Sequence, residues 1–361
     1  MEFALSEDQR MLQDSVRSFL ADAAPLDTVR KAADGDHSVV SQLNDGLAEL
    51  GTNQLLVPEA QQGLALGILD AALVQEALGA AVAPADYFCN ALATIGIQAA
   101  GTEAQQGLWL SKLAAGEVRF GLALTEYIGA REDAGVEATA SGLMGKSLFV
   151  MNAAAATHIL VCDKDGALHI VEMGAGGLTR SALPSIDRTR DFSELVFDGV
   201  ASERLSANVA GGEAAERMVQ AGHILLAADT LGAAQNMLDD AVTYAKERKQ
   251  FNRTIGSFQA VKHLCAEMTA RLEPCRALVW QAAYAFDEGE EEAAVLACLA
   301  KSHLSEVGTF VARTATEVHG GMGFTDLVGL HYWFKRIGTN RQLLGSPESV
   351  RDKAARLQGW A

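Results

Sequence analysis

The sequence has few cysteines, and none lies in a spacing that binds zinc or forms a redox pair. Their number is odd and no two of them form a C-x-x-C pair; they are Cys89, Cys162, Cys265, Cys275 and Cys298. This usage argues against a disulfide framework or a zinc site and is typical of a reduced, cytoplasmic protein.

Long apolar runs are also missing. No stretch reaches the ~20 apolar residues that a helix needs to cross a bilayer. The first residues are acidic and lack the apolar core of a secretory signal peptide. The sequence therefore predicts a cytoplasmic location without membrane insertion.

Positive charge is in short supply. The chain has 29 lysines and arginines against 46 aspartates and glutamates, which gives a formal net charge of −17. Phosphate backbones and anionic lipid surfaces repel such a protein, so nucleic acid and membrane partners are not expected. A local group of cations can still hold an anionic ligand.

The sequence does contain enough apolar material for a large core. Hydrophobic residues make up 49% of the 361 residues, and this length predicts roughly two to three domain-sized units. Residues 1–115 read as an α-helical domain, whose first helix begins at Ser6 with Gln9 as the capping-box partner. Further predicted segments are helices at Val39–Leu50, Leu66–Leu78 and Glu103–Leu113, and a short extended piece at Leu55–Glu59.

The pattern changes to that of a β-domain over residues 116–203. A strand is predicted from Phe120, and a period of two marks another at Asp191–Asp198. The apolar runs His158–Cys162 and Ala167–Met173 flank an Asp-Gly pair at 165–166. Asp-Gly between two such runs predicts a β-hairpin.

Helical periodicity returns over residues 204–361. One predicted helix follows Gly212, and a second follows the polar stretch that ends at Gln259, with a kink or break at Pro274. A third covers Leu296–Val318. Ser346 and a proline at the next position predict the N-cap and first residue of a last short helix.

The break between the first two of these helices carries an unusual concentration of cations. It reads E-R-K-Q-F-N-R-T-I-G-S-F-Q over residues 247–259. Arg248 and Lys249 lie at a helix C-terminus, where the dipole favours positive charge, and Arg253 follows in the turn. An arginine fork can bind a phosphate with two hydrogen bonds. The alternative is a basic helix cap on a solvated turn.

This stretch resembles the signature E-R-K-Q-F-G-x-x-I-G-x-F-Q of the flavin-dependent acyl-CoA dehydrogenase family. Residues 319–325, H-G-G-M-G-F-T, are similar to that family's H-G-G-x-G-[FY]-[ST]. The resemblance covers nearly the whole chain. It implies a mainly α fold with a central β-domain: an N-terminal helical domain, a β-barrel-like middle domain and a C-terminal four-helix bundle.

The resemblance implies FAD as cofactor, bound at a subunit interface. Carried over by position, Arg248 would hold the pyrophosphate, Gln250 and Phe251 would contact the dinucleotide, and Gln259 would contact the adenosine half. Gly320 and Gly321 complete the set of expected cofactor contacts, because the backbone can approach the cofactor closely where no side chain is present. The alternative is that these two glycines form a helix cap and a tight turn.

Three of the family's features are altered, one before the glycine motif and two in the middle domain. Glu317 replaces a usual glutamine and would accept from a ribose hydroxyl. The flavin-facing string of the family reads T-E-Y-I-G-A-R-E-D over residues 125–133, without its proline and with Arg131 near the serine position. Met151 replaces a threonine that would hydrogen-bond the flavin.

The reaction implied is α,β-dehydrogenation of an acyl-CoA thioester, in which a glutamate removes the α-proton. The two positions that hold this glutamate in the family fall on Leu344 and Gly222, and His223 follows the second. Asp229 is a candidate replacement for this glutamate, but it lies two helical turns from Gly222, ~10 Å, which is too far to replace the glutamate directly. We expect it instead to make a buried polar contact between subunits, with the catalytic base supplied by a partner.

These changes predict the β-type subunit of a heteromeric (α2β2) acyl-CoA dehydrogenase, as in bacterial steroid side-chain or dicarboxylyl-CoA catabolism. A larger homologous α subunit would carry the glutamate and the acyl-CoA, and an electron-transfer flavoprotein or similar acceptor would take the electrons. Two alternatives are a self-sufficient enzyme with an unusual base and a flavin-free structural or binding homologue.

Overall fold

The computed structural model describes residues 4–125, 134–207 and 212–360. Its helices in the first part of the chain are α1 (Glu7–Ala23), α2 (Leu26–Ala33), α3 (His37–Glu49), α4 (Ile68–Ala80), α5 (Tyr87–Ala100) and α6 (Glu103–Ala114). The strands that follow are β1 (Phe120–Ala123), β2 (Gly135–Thr139), β3 (Gly142–Met151), β4 (His158–Cys162), β5 (Leu168–Glu172), β6 (Leu178–Ala182), β7 (Phe192–Val200) and β8 (Glu203–Arg204).

The last part of the chain is helical again except for one short hairpin. Its elements are α7 (Glu213–Glu247), β9 (Lys249–Gln250), β10 (Arg253–Thr254), α8 (Gln259–Glu288), α9 (Ala293–His319), α10 (Leu330–Gln342) and α11 (Pro347–Leu357). The prediction of a mainly helical protein with a central sheet is confirmed. None of the helices in the described ranges is long and apolar enough to cross a membrane.

The chain forms two compact units by its contacts. The first, here called the bundle unit, comprises the chain through Asp34, Ala72–Ala83 and everything from His223 on. The second, the sheet unit, comprises Gly35–Ala71 and Pro84–Gly222. The domain boundaries expected at 115/116 and 203/204 stay predictions.

The sheet unit contains one mixed sheet in the order β6-β7-β3-β1-β4-β5-β8, with β2 paired to β3. Strands β1 and β4 run parallel, and the other pairs are antiparallel. The predicted hairpin forms between β4 and β5, where Cys162 pairs with Leu168. Gly166 takes a φ of 80°, which glycine adopts without strain. Val150, Leu195 and Phe197 lie in the core of this sheet.

In the bundle unit, α4 and α7 meet at two glycines. A Cβ added at Gly79 would lie 2.1 Å from the backbone oxygen of Asp229. One added at Gly232 would lie 1.9 Å from that of Glu76. The two backbones are therefore in direct contact. Every residue of α7 over 223–234 is buried.

Helix ends follow the local sequence where capping residues are present. Ser6 accepts from the backbone N–H of Gln9, whose side chain accepts from the N–H of Ser6, as predicted. Ser346 caps α11 by accepting from the N–H of Ser349, with Pro347 as the first helical residue.

One local prediction is wrong, and of the kink or break expected at Pro274 the break is excluded. The extended piece at Leu55–Glu59 is a folded loop between 3-10 turns, because Leu66 N–H donates to Leu55 O and Ala65 N–H to Val57 O. The break at Pro274 does not occur, since α8 continues through it to Glu288. Proline removes one backbone donor, and a helix of this length retains its other hydrogen bonds.

Candidate functional site

The basic turn is a tight β-hairpin between α7 and α8. Strands β9 and β10 pair, with Gln250 opposite Arg253. The two residues between them, Phe251 and Asn252, have φ of 52° and 59°, as a type I′ turn requires. Asn252 stands where the resembling signature has glycine, and asparagine tolerates this left-handed conformation better than most side chains.

The cations of this hairpin are exposed and free of ion pairs. None of Arg248, Lys249 and Arg253 has an acidic partner within the described parts of the chain. The guanidinium of Arg253 stacks 3.9 Å above the centre of the Phe258 ring. Phe251 is 88% exposed. The hairpin therefore presents positive charge and one bare aromatic ring to whatever binds there.

Two further predicted contacts lie on the same stretch. Gln250 donates through Nε2 to the carbonyl of Lys249, 2.9 Å away, and its side chain is exposed. Gln259 is exposed at the first position of α8. Both are placed where a ligand on the hairpin can reach them.

The glycine motif forms the turn after α9. Gly320 has a φ of 58°, and a Cβ added at Gly320 or Gly321 would meet no atom within 4 Å. Gly323 is different, because a Cβ there would lie 2.7 Å from the carbonyl oxygen of Thr316. The first two glycines thus leave bare, accessible backbone, while the third is needed for packing. Glu317 is exposed one turn earlier on α9.

A ring contact joins the helix end before the hairpin to the start of the glycine motif. The rings of Tyr244 and His319 stack with centroids 4.5 Å apart. Arg248 follows Tyr244 by one turn and donates its N–H to the Tyr244 carbonyl at 2.8 Å. His319 is fixed by a hydrogen bond between Nδ1 and Ala315 O, 2.8 Å. The structure therefore brings the two sequence motifs together.

The position that would hold the catalytic glutamate is closed. Leu344 is 3% exposed and has a φ of 55°. Its carbonyl accepts from Nε2 of buried His223, at 2.9 Å. Burial lowers the pKa of His223 to about 3, although the hydrogen bond to the Leu344 carbonyl acts in the opposite direction. The imidazole next to Gly222 is therefore neutral at physiological pH.

A buried lysine that was not predicted from the sequence bonds to the backbone around this closed position. Lys301 is 1% exposed. It donates to the carbonyls of Arg341 and Gly345 at 3.1 and 3.4 Å, and to Ser305 Oγ at 3.3 Å. Burial lowers its pKa to about 7. The backbone carbonyls of Leu344 and Gly345 are thus held by His223 and Lys301.

Asp229 is not placed to act as a base. It is fully buried and accepts from Arg336 Nε and Nη2 at 3.0 and 2.8 Å, from Asn340 at 2.6 Å and from Gln75 at 2.7 Å. Its expected role as a contact between subunits is wrong, because these partners belong to its own chain. It fixes α10 and α4 to α7.

Only part of the middle-domain differences from the family signature falls within the described residues. Residues 126–133, with Arg131, lie outside the described residues. The hydroxyl of Thr125 is buried and accepts from the Leu148 N–H at 2.9 Å. Met151 is 4% exposed at the end of β3, and the neighbouring Phe149 has a φ of 54°. No group of metal-ligating side chains is found within the described ranges.

Two family models match this chain. Residues 6–117 match the one described as Acyl-CoA dehydrogenase, N-terminal domain, and residues 210–358 match Acyl-CoA dehydrogenase, C-terminal domain.

Relatives match over most of the chain. Acyl-CoA dehydrogenase IpdE2 of Mycobacterium tuberculosis is 31% identical over 352 residues, which cover 95% of each chain. The Caffeyl-CoA reductase-Etf complex subunit CarC of Acetobacterium woodii is 26% identical, over 88% of this chain and 89% of that protein. A variant of the Tcur3481-Tcur3483 steroid ACAD has a solved structure with a TM-score of 0.88 and 28% identity, over 98% of each chain.

Proposed function

Because this chain belongs to the acyl-CoA dehydrogenase family, we propose that it is the cofactor-completing subunit of a heteromeric acyl-CoA dehydrogenase. It contributes to an FAD site at a subunit interface and has no catalytic glutamate of its own. The base and the acyl-CoA pocket belong to a larger homologous partner in an α2β2 assembly.

One observation carries this proposal: the place of the base holds no carboxylate and is closed. Leu344 is buried, and its backbone carbonyl is occupied by His223. Asp229 of α7 is not available as a base either, because it already accepts from Arg336 and two amides. Moreover, every residue of α7 over 223–234 is buried.

The cofactor is FAD, and the two motifs fit it. The pyrophosphate of FAD is anionic, and Arg248 offers an exposed, unpaired guanidinium to it. Gln250, Phe251 and Gln259 are exposed around the same turn and would contact the dinucleotide. The open space above Gly320 and Gly321 admits a ligand against bare backbone. When bound, FAD accepts the two electrons and the β-hydrogen of the substrate.

Glu317 needs a particular partner in this arrangement. A carboxylate beside a pyrophosphate is repelled unless it accepts a hydrogen bond from the ligand. Glu317 is exposed on α9 one turn before Gly320. We assign it to a ribose hydroxyl.

Relatives support a proposal for the substrate and for the electron acceptor. The Tcur3481-Tcur3483 structure is that of a steroid ACAD whose name joins two designations, which favours a steroid side-chain CoA thioester and a two-component enzyme. CarC is a subunit of a complex with Etf, which favours an electron-transfer flavoprotein as acceptor.

The decisive experiment compares the chain alone with the chain co-expressed with a longer homologue encoded next to it. We expect the lone chain to lack full FAD occupancy and dehydrogenase turnover, and the complex to have both. Turnover by the lone chain with a full complement of FAD would overturn the proposal. A complex without flavin would show that the chain has kept only the fold.

The role of the basic hairpin is tested within the complex. Arg248→Ala should weaken FAD binding by about tenfold or more, because it removes a charge-assisted contact with the pyrophosphate. Flavin absorbance after gel filtration measures this. Arg10→Ala, an exposed arginine on α1, is the matched control and should keep its flavin. Equal flavin content in both variants would remove Arg248 from the site.

A further inference from the structure

A groove in the bundle unit lies outside the flavin motifs and is not used by the proposed function. It consists of a polar cavity of 470 Å³ and an apolar cavity of 250 Å³. The two share the residues Arg17, Ala80 and Asn236 in their walls. We call this the α1–α7 groove, after the helices that supply Arg17 and Asn236.

Arg17 stands where the two cavities meet and has capacity to bind a ligand. Its side chain is 47% exposed. Only Nη2 is engaged, with Glu76 Oε1 at 3.4 Å, and no partner for Nη1 or Nε exists in the described chain. The same oxygen of Glu76 also pairs with Arg276, so one carboxylate faces two guanidiniums. The pair of arginines therefore carries more positive charge than Glu76 neutralises.

Charged residues in the wall of the polar cavity favour a ligand's anionic group near the junction of the two cavities and disfavour it deeper in the polar cavity. Asp239 lines the polar cavity and not the apolar one. Its Oδ1 accepts from Gln235 at 3.0 Å. A ligand carboxylate would be repelled by Asp239 and attracted by Arg17. Arg276 also lines the polar cavity and attracts an anion, but it does not reach the apolar cavity and its side chain is 24% exposed against 47% for Arg17. The position beside Arg17 and Asn236 is therefore preferred.

Beyond the shared residues Arg17 and Asn236, the wall of the other cavity is mostly apolar. Leu20, Leu26 and the Trp333 ring line it, together with small alanines that leave the space open. Trp333 Nε1 donates to Ala80 O at 2.8 Å, so its only donor is already used. This wall suits a hydrocarbon chain.

We propose that the α1–α7 groove binds a long-chain carboxylate. The carboxylate group lies against Arg17, whose free fork nitrogens donate to both of its oxygens. The hydrocarbon tail lies along the apolar cavity toward Trp333. The site is separate from the flavin hairpin, and its ligand is recognised by one charge and by apolar surface.

Dodecanoate, below its micelle concentration, is the probe, and isothermal titration of the purified complex is the measurement. We expect one dodecanoate per chain. Arg17→Gln should weaken binding by about tenfold, since it removes a charge-assisted hydrogen bond. Ala21→Trp, at an exposed position that lines the apolar cavity, should reduce binding similarly by filling the space. Arg10→Gln, an exposed arginine of α1 outside the groove, should bind as the parent does.

A probe of opposite charge separates this site from general adsorption of apolar molecules. Dodecyltrimethylammonium has the same tail and a cationic head, so it should bind far more weakly than dodecanoate. Equal binding of the two probes would overturn the proposal. Dodecanoate binding that survives both Arg17→Gln and Ala21→Trp, or the absence of any binding, would overturn it as well. Because flavin content and turnover are measured separately, these outcomes are distinguishable from failure of the proposed function.

Discussion

At the scale of single residues, the informative feature is that hydrogen-bond donors surround Leu344, the position where the family resemblance leads one to expect a carboxylate. His223 and Lys301 donate to the backbone carbonyls of Leu344, Gly345 and Arg341. Replacing Leu344 by glutamate would put a carboxylate into a site that exposes 3% of the side chain. A glutamate at position 344 would therefore be buried beside backbone carbonyls that already accept from His223 and Lys301.

Lys301 gives a testable pH dependence. Its pKa is lowered by burial from 10.5 to about 7. Between these values the unfolded lysine is protonated and the folded one is neutral, so the unfolded state binds more protons. Stability therefore rises with pH across this window, by up to about 1.4 kcal/mol per pH unit, and this contribution is lost as pH falls toward 7.

The measurement is urea unfolding of the parent and of Lys301→Met at pH 7, 8 and 9. The variant should lack the part of the slope that Lys301 supplies, whatever its absolute stability. Lys31→Met, at an exposed lysine on α2, is the control and should keep the parent slope. If both variants show the same slope as the parent, Lys301 is charged throughout and its three hydrogen bonds outweigh its burial.

At the scale of elements, the contact between α4 and α7 depends on two glycines. Gly232→Ala would put a methyl group 1.9 Å from the Glu76 carbonyl oxygen, and Gly79→Ala one 2.1 Å from that of Asp229. Neither neighbour is a flexible side chain, so the helices must separate. We expect each change to lower the free energy of unfolding by about 2–4 kcal/mol, the range for overpacking and lost core contacts.

Thermal unfolding checks this, with Gly107→Ala as control. A Cβ at Gly107, inside α6, would meet nothing within 4 Å. Alanine should there stabilise the helix by about 0.5–1 kcal/mol, because glycine is the poorer helix former. Alanine is thus expected to destabilise the protein at Gly79 and Gly232 and to stabilise it at Gly107. A Gly232→Ala protein as stable as the parent would show that α4 and α7 can move apart freely.

The elements that the sequence predicted correctly are those with local signals. Ser6 and Gln9 cap α1, and the Asp-Gly pair at 165–166 forms the β4–β5 hairpin, because these effects act over a few residues. Helix α5 was not predicted because nearly all of its residues are buried, which removes the apolar–polar periodicity. Long-range effects were also missed: Asp229 meets Arg336 and Asn340 more than a hundred positions away.

The candidate site was predictable to a similar degree. The cofactor motifs are contiguous strings, so Arg248, Phe251 and the glycines were identified directly. The contact between Tyr244 and His319 that joins them was not, because it depends on how α7 and α9 pack. Lys301 was missed for a related reason, since a lysine in a helix is normally expected on the surface.

At the scale of the whole molecule, the acidic chain carries a small basic face that its own acidic residues do not neutralise. The net charge is −17, yet Arg248, Lys249 and Arg253 have no ion-pair partner in the described chain. Phe251 and Phe324 are 88% and 81% exposed on the two motifs. Unpaired charge beside bare aromatic rings is typical of a surface that is covered in an assembly.

The number of flavins per assembly tests this arrangement directly. Under the proposed function each such chain completes one FAD site and contains none that is complete, so an α2β2 complex should hold two flavins for four chains. Light scattering after gel filtration gives the assembly mass, and flavin absorbance after denaturation gives the count. Four flavins would mean that this polypeptide also seats a cofactor of its own, and that the closed position around Leu344 opens when the complex forms. A count of two that falls toward zero in Arg248→Ala, with the assembly mass unchanged, would tie both flavins to this hairpin.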